Sequence, residues 1–294
     1  EQTLFYRKYY YCQSTAQIAA GDYARRTALH TGDEIETLSR SFDAMADAVQ
    51  EKIADLQADV QRREDFVGAF THELKTPMTS IIGYADMLRS YDLPAAERRE
   101  AAEYIYREGR RLESLSLHLL DLLVLEKTEC DLQPVQAEHL CAEVEQATGF
   151  LAKKYGVALS VRCQPARILV EPTLVKTLLY NLVDNACKAS TTGQKVVLRG
   201  RMKDGRYELS VRDYGRGMAP EELSRITEPF YMVDKSRARS QGGAGLGLAL
   251  CKRIAALHGS PLAFASRPGE GTLAGFAAQL APEKAGPPHE EVQP

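Results

Sequence analysis

The run Phe66-Val67-Gly68-Ala69-Phe70-Thr71-His72-Glu73-Leu74-Lys75-Thr76-Pro77 carries the spacing on which the fold turns. Val67, Phe70, Leu74 and Ile81 form one apolar stripe. It extends upstream through Val60, Leu56, Ile53, Val49, Met45, Phe42, Leu38 and Ile35, and downstream to Leu88. A stripe this long and narrow predicts a coiled-coil-like helix rather than the surface helix of a globule. Ser90-Tyr91-Asp92-Leu93-Pro94 breaks it, and Pro94 is placed to open the next helix. A second stripe follows at Ile105, Leu112, Leu115, Leu119 and Leu122. Two amphipathic helices joined by a short turn make an antiparallel hairpin. A single hairpin leaves its apolar stripe open, so two should pair into a dimeric four-helix bundle.

At about 100° per residue, His72 lies about 200° from Leu74 and faces solvent. Glu73 is its neighbour, and Thr76 shares its face one turn on. Pro77 removes an N–H and loosens the helix just beyond. An outward imidazole beside a carboxylate able to take its proton is a competent nucleophile, although a solvated helix histidine satisfies the same spacing.

Two heptad registers run along the first stripe. Ile35, Phe42 and Val49 keep one, which meets Arg63 after Leu56; Ile53, Val60, Val67, Leu74, Ile81 and Leu88 keep the other. Their offset of four residues is a stutter, which locally unwinds a coiled coil.

Around Gln133-Pro134 the pattern changes. Short alternating runs at Val157–Val161, Lys195–Arg201, Tyr207–Val211, Pro261–Ala265 and Thr272–Leu280 read as strands. Helical segments at 137–153, 173–190 and 245–258 interleave with them. The expected architecture is α plus α/β: the helical hairpin, then an α/β sandwich with helices on one face of a mixed sheet. In the helix 173–190, Asn181, Asn185 and Lys188 fall on one side, away from Leu178, Leu179, Leu182, Val183 and Ala186. Two amides and an ammonium so aligned suit phosphate and Mg²⁺, though a solvated polar stripe looks the same. Asp213-Tyr214-Gly215-Arg216-Gly217-Met218 follows a strand, and Gly242-Gly243-Ala244-Gly245-Leu246-Gly247 opens a helix. Glycines let backbone N–H groups reach phosphates at a helix N-terminus; tight turns are the alternative. Neither cluster has the Walker or dinucleotide-binding spacing.

The 294 residues are 44% hydrophobic and 26% charged, the composition of a folded, soluble protein of about two domains. A net charge of −3 excludes a polyanion binder driven by bulk charge, so nucleic acid is not expected. No apolar run is long enough for a membrane span, and residues 1–13 lack a signal-peptide core. Five aromatics around Arg7 and Lys8 resemble the cytoplasmic edge of a span lying outside this chain, or else a disordered end. Six cysteines without a C-x-x-C pair read as reduced thiols, with no cysteine metal site.

Taken together, the motifs resemble those of two-component sensor histidine kinases. His72 to Pro77 is similar to that family's phosphoacceptor motif, Asn181 to Lys188 to its N box, and Asp213 to Met218 to its first glycine box. Glu228-Pro229-Phe230-Tyr231 resembles the F box, and Gly243 to Leu248 the second glycine box. Ile18 to Tyr23 with Asp33 through Ala46 resembles a HAMP signal-transmitting module. The resemblance implies a juxtamembrane-like segment 1–15, a HAMP-like module 16–60 and a phosphoacceptor hairpin 61–130. A catalytic domain 135–281 of the histidine kinase, gyrase and MutL type and a disordered tail 282–294 complete the chain. It implies ATP and Mg²⁺ as cofactors, autophosphorylation of His72 with Glu73 as proton acceptor, and transfer to the receiver domain of a response regulator. Thr76 would orient water when that regulator is dephosphorylated. Asn185 would hold Mg²⁺, Asn181 and Lys188 would meet phosphates, and Asp213 would read the adenine amino group. Gly215, Gly217, Phe230, Gly243, Gly245, Leu246 and Gly247 would shape the nucleotide site. Segment 231–241 would be its mobile lid, with Lys235 and Arg237 reaching the γ-phosphate. A homodimer tethered to the inner face of the membrane through a span outside this chain completes the expectation.

Two departures stand out. Glu36 occupies a position usually held by glycine, and the first HAMP-like helix lacks its usual proline. The stretch Thr272 to Ala278 is Ala-rich where that family's last strand is usually β-branched, which would weaken an edge strand. A non-catalytic nucleotide-binding scaffold is the alternative function, and a gyrase- or MutL-type ATPase is a third; the latter lack an upstream His-Glu helix.

Overall fold

The structure, a computed structural model, describes residues 9, 13, 16–28, 30, 32, 34–127, 130–234 and 245–282. Lys235, Arg237, Gly243, Cys12, Asp33, nearly all of segment 1–15 and the tail from 283 lie outside the described residues. The chain divides into two compact units, Glu1–Thr71 and His72–Pro294. One helix, α1 (Glu34–Ser90), runs through the division. The hairpin boundary expected at 60/61 therefore falls inside continuous helix. Among the described residues no helix is long and apolar enough to cross a membrane.

In the first unit, a connector around Thr27 is fastened to α1 by hydrogen bonds. The Asp43 carboxylate accepts from the backbone N–H groups of Thr27 and Ala28 at 2.7 and 3.0 Å, and from the Thr27 hydroxyl at 2.9 Å. These bonds to its charged form hold Asp43 below the usual carboxylate range, against the opposing effect of burial. Arg26 reaches Asp47 and Gln50 one and two turns further along. Glu36, in the first turn of α1, accepts from the N–H of Gly32 at 2.7 Å and pairs with Arg40. It anchors the start of the helix through its side chain. Beyond the connector, Leu56, Val60 and Val67 are more than half exposed.

In the second unit, α1 ends at Ser90 and α2 (Ala95–Lys127) returns after Pro94, as the turn predicts. Tyr84 stacks on Tyr104 with centroids 4.7 Å apart, and the Arg107 guanidinium lies 4.3 Å over the second ring. Further on come β1 (Gln133–Gln136), α3 (Ala137–Tyr155), β2 (Ala158–Cys163), β3 (Arg167–Val170) and α4 (Pro172–Ala189). Next are β4 (Lys195–Lys203), β5 (Arg206–Asp213), α5 (Pro220–Leu223), α6 (Gly247–Leu257), β6 (Ala263–Arg267) and β7 (Gly271–Leu280). The sheet order is β1-β3-β7-β5-β4-β2, with β6 on β7; only β2 and β4 pair in parallel. Helices α3, α4 and α6 bury Leu140, Val144, Leu178, Leu182, Leu250 and Ile254 against Ile168, Leu198, Tyr207, Leu209 and Phe276.

Two expectations are corrected here. The Ala-rich β7 is a central strand between β3 and β5, not an edge. Glycine is required at one of its positions: a Cβ at Gly275 would lie 2.5 Å from the Leu209 carbonyl oxygen. The cysteines are not all thiols, since Cys141 on α3 and Cys163 on β2 form a disulfide. The helix folds back over the strand and brings together residues 22 apart in sequence, a pairing no C-x-x-C spacing would announce. Cys187 and Cys251 are buried free thiols, and burial pushes Cys187 up to about 11.

Candidate active site

His72 stands on the solvent side of α1, with 72% of its side chain exposed. Glu73 beside it points inward and is buried. Its Oε1 lies 3.8 Å from His72 Nδ1, while Oε2 accepts from Arg111 of α2 at 2.7 Å in a buried ion pair. The guanidinium also reaches Glu108 at 3.7 Å. One carboxylate thus faces the imidazole with one oxygen and is anchored to the opposite helix by the other. The Thr76 hydroxyl donates back to the His72 carbonyl at 3.3 Å. Arg111 was invisible to sequence reading: an arginine on a charged helix looks solvated until its partner across the hairpin is known.

A cavity of about 760 Å³ lies over α4, with Asn181, Asn185, Lys188, Asp213, Gly217, Gly245, Leu246 and Gly247 in its wall. A drug-sized ligand fits a space of this size. Asn181 and Asn185 stand on successive turns of α4 because i and i+4 share a face. Asn181 Nδ2 donates to the Thr177 carbonyl at 2.9 Å, leaving its oxygen beside Gly247. A Cβ on Gly247 would sit 2.8 Å from that oxygen, so glycine here leaves room for the amide. Lys188 binds Asp184 at 2.6 Å, one turn back; an ammonium has three donors, so others stay available. Asp184 and Tyr180, also in the wall, were not singled out from sequence.

Asp213 ends β5 inside the cavity and is 4% exposed. Its Oδ1 accepts from the N–H groups of Gly215 and Thr272 at 2.9 and 3.1 Å. Burial raises its pKa above the ordinary aspartate value, and those two bonds offset only part of the rise. Thr272 comes from β7, 59 residues away, so only the sheet pairing discloses its part.

The glycines divide by role. Gly215 is buried rather than in the wall, and a Cβ there would meet the Ala189 carbonyl at 2.3 Å. Gly217, at φ +63°, would bring a Cβ to 1.9 Å from the Arg267 carbonyl. Both come close to neighbouring backbone in tight turns, and Gly217 also lines the cavity. Phe230, expected to shape the site, is 7% exposed and is not among the wall residues. At φ +65°, it donates its N–H to the Gly245 carbonyl at 2.9 Å and holds the two ends of segment 231–245 together. The wall on that side is Tyr231 to Asp234. Helix α6 begins at Gly247, and its first N–H groups point positive charge into the same space.

Hard-ligand chemistry is present in moderation. The Asn185 amide oxygen suits Mg²⁺, an ion that keeps several waters and takes much of its shell from substrate phosphates. Among the described residues no cluster of three or more His, Cys, Asp and Glu could hold a metal without such help.

Three family models match the chain: a HAMP domain over 13–51, a His Kinase A (phospho-acceptor) domain over 62–127, and a histidine kinase-, DNA gyrase B- and HSP90-like ATPase over 170–282. The sensor-like histidine kinase SenX3 of Mycolicibacterium smegmatis is 35% identical over 214 residues, 71% of this chain and 56% of that protein. The chain spans about half the length of the curated relatives it matches. The crystal structure of histidine kinase ThkA with response regulator protein TrrA aligns over 79% of this chain and 68% of that one, with a TM-score of 0.62 at 21% identity, and supports the fold. Full-length ShkA in complex with AMPPNP aligns over 74% and 46%, with a TM-score of 0.53 at 27% identity.

Proposed function

We infer the activity from one premise: the chain belongs to the two-component sensor histidine kinases. The activity is ATP-dependent phosphorylation of His72, followed by transfer of the phosphoryl group to an aspartate of a response regulator receiver domain. The observation that carries it is the pairing of exposed His72 with anchored Glu73 in the same unit as a nucleotide-sized cavity. Glu73 takes the imidazole proton as the imidazole attacks the γ-phosphorus, and ADP leaves. Phosphoryl transfer has a loose transition state, so positioning and charge neutralisation dominate over base strength. Asn181, Lys188 and the N-terminus of α6 bind phosphates, and Asp213 accepts from the adenine amino group. Mg²⁺, held by Asn185 with the phosphates, would neutralise charge on the transferring group. Lys235 and Arg237, outside the described residues, are the further cations this reading assigns to the γ-phosphate.

Leu56, Val60 and Val67 are left open on α1 in the single chain, which supports a homodimer through a four-helix bundle. Thr76 orients water for dephosphorylation of the regulator, and the HAMP-like portion tethers the molecule to the membrane through a span outside this chain. Incubation with [γ-³²P]ATP tests the central claim. Acid-labile, base-stable label on the protein is the expected result, and failure to incorporate label with intact ATP binding would leave a nucleotide-binding scaffold.

A further inference from the structure

Helices cover one face of the sheet, and on β2, β4 and β5 the outward positions of the other face are dominated by cations. Burial alternates along β4, so Val196, Leu198 and Gly200 point inward while Lys195, Arg199 and Arg201 point out. By the same alternation Arg162 of β2 and Arg212 of β5 share that outer face, where Glu208 is the single acid of these strands. Glu208 is taken by Arg201 at 2.8 Å. Arg162 and Arg199 are directly opposite each other in the β2–β4 register, and both are exposed. Among the described residues neither they nor Lys195 has a carboxylate partner. Like charges directly opposite on neighbouring strands oppose sheet pairing, and an anion between them reverses the sign. The chain as a whole is acidic at −3, so this face is set apart by how charge is placed rather than by composition.

We propose that this face docks a carboxylate-rich segment of a partner protein. Guanidinium forks match carboxylates two bonds at a time, and four of the five outward cations named are arginine. A shallow hollow of about 270 Å³ continues the face, where Lys203 and Arg206 stand beside Asp204 and Glu208. Single-stranded nucleic acid needs stacking platforms, and the outward positions of the three strands hold no aromatic ring. The Tyr214 ring just past β5 is covered by Arg212 at 5.3 Å. A lipid surface is favoured by interfacial aromatic anchors, which these positions also lack.

The test is binding of fluorescein-labelled poly-L-glutamate to the full chain, read by anisotropy at low and raised salt. The variants are Arg162→Glu with Arg199→Glu, and as a control of equal charge Arg98→Glu with Arg99→Glu on α2. The expected result is salt-sensitive binding weakened about tenfold by the first pair and barely by the second. Equal weakening by both pairs would reduce the effect to bulk charge and overturn the proposal, as would no binding at low salt. Tighter binding of phosphatidylserine vesicles or of duplex DNA, with the same dependence on Arg162 and Arg199, would also overturn it.

Discussion

Arg111 of the second hairpin helix and Glu73 of the first form an ion pair at 2.7 Å with both side chains at least nine-tenths buried. Glu73, beside His72, is therefore positioned by a charge brought from the opposite helix of the hairpin. Removing one partner of a buried pair leaves the other uncompensated, at a cost of about 3–5 kcal/mol. Arg111→Met should lower the melting temperature sharply and slow phosphorylation of His72. Adding Glu73→Gln should restore much of the stability but not the rate. Melting curves and label incorporation on the two variants separate the two effects; a rate that recovers with the fold would remove Glu73 from the chemistry.

His72→Gln should abolish labelling and leave ATP binding intact, because the imidazole stands outside the cavity wall. Asn185→Ala should do the reverse, weakening Mg²⁺-ATP binding about tenfold or more while His72 still accepts phosphate from a phosphorylated regulator. Calorimetric titration with Mg²⁺-ATP and a reverse-transfer assay read the pair. Wild-type affinity in Asn185→Ala would dismiss it as a ligand.

Asp213 is held with a raised pKa by burial, so its charge costs folding energy once pH exceeds that raised value. The stability it contributes is full below the ordinary aspartate pKa and is lost as pH rises through the folded one. Asp213→Asn keeps an oxygen for the N–H groups of Gly215 and Thr272 and removes the charge. It should melt higher at neutral pH and bind ATP poorly. The gain should shrink as pH falls and Asp213 protonates. A constant difference across the pH series would mean the charge is not its source.

Alanine at Gly217 and at Gly247 should fail differently. At Gly217 the new Cβ meets backbone at 1.9 Å in a left-handed conformation, so the catalytic domain should lose several kcal/mol or not fold. At Gly247 it meets only the Asn181 side-chain oxygen, which can turn away. That variant should melt near wild type and bind ATP several-fold more weakly. Tight ATP binding by Gly247→Ala would detach Asn181 from the phosphates.

Deleting Gln50 through Ile53 removes the stutter, since Val49 then precedes Val60 by seven residues. It lies 23 residues before His72, roughly 35 Å along a helix. The variant should still dimerise and bind ATP, with its kinase-to-phosphatase ratio locked at one extreme. Insensitivity of that ratio to the deletion, in membrane-anchored protein exposed to its stimulus, would show that the stutter does not set it.

The hairpin was readable because apolar spacing over so many turns has few competing explanations, and the outward aspect of His72 follows from helix geometry alone. The N-box face was equally local, a matter of i and i+4. What sequence left hidden was everything contributed across chain distance. Arg111 meets Glu73 from 38 residues away, and Thr272 meets Asp213 from 59. The placement of Ala-rich β7 at the sheet's centre depends on which strands pair, which its own composition does not encode. Gly215 and Gly217 stay ambiguous in sequence for a related reason. A glycine reports that something comes close, and only the fold says whether it is a ligand or another stretch of backbone.

Pro77 lies inside a helix of 57 residues, the single proline in it, and it cannot donate to the carbonyl of Glu73 one turn earlier. A rod with one missing tie does not bend evenly; its compliance gathers where the tie is absent. Here that joint lies five residues past His72, so His72 and the Glu73 carbonyl that lacks its donor sit together on one side of it. The turn that presents the imidazole is also the turn where the backbone ladder is incomplete.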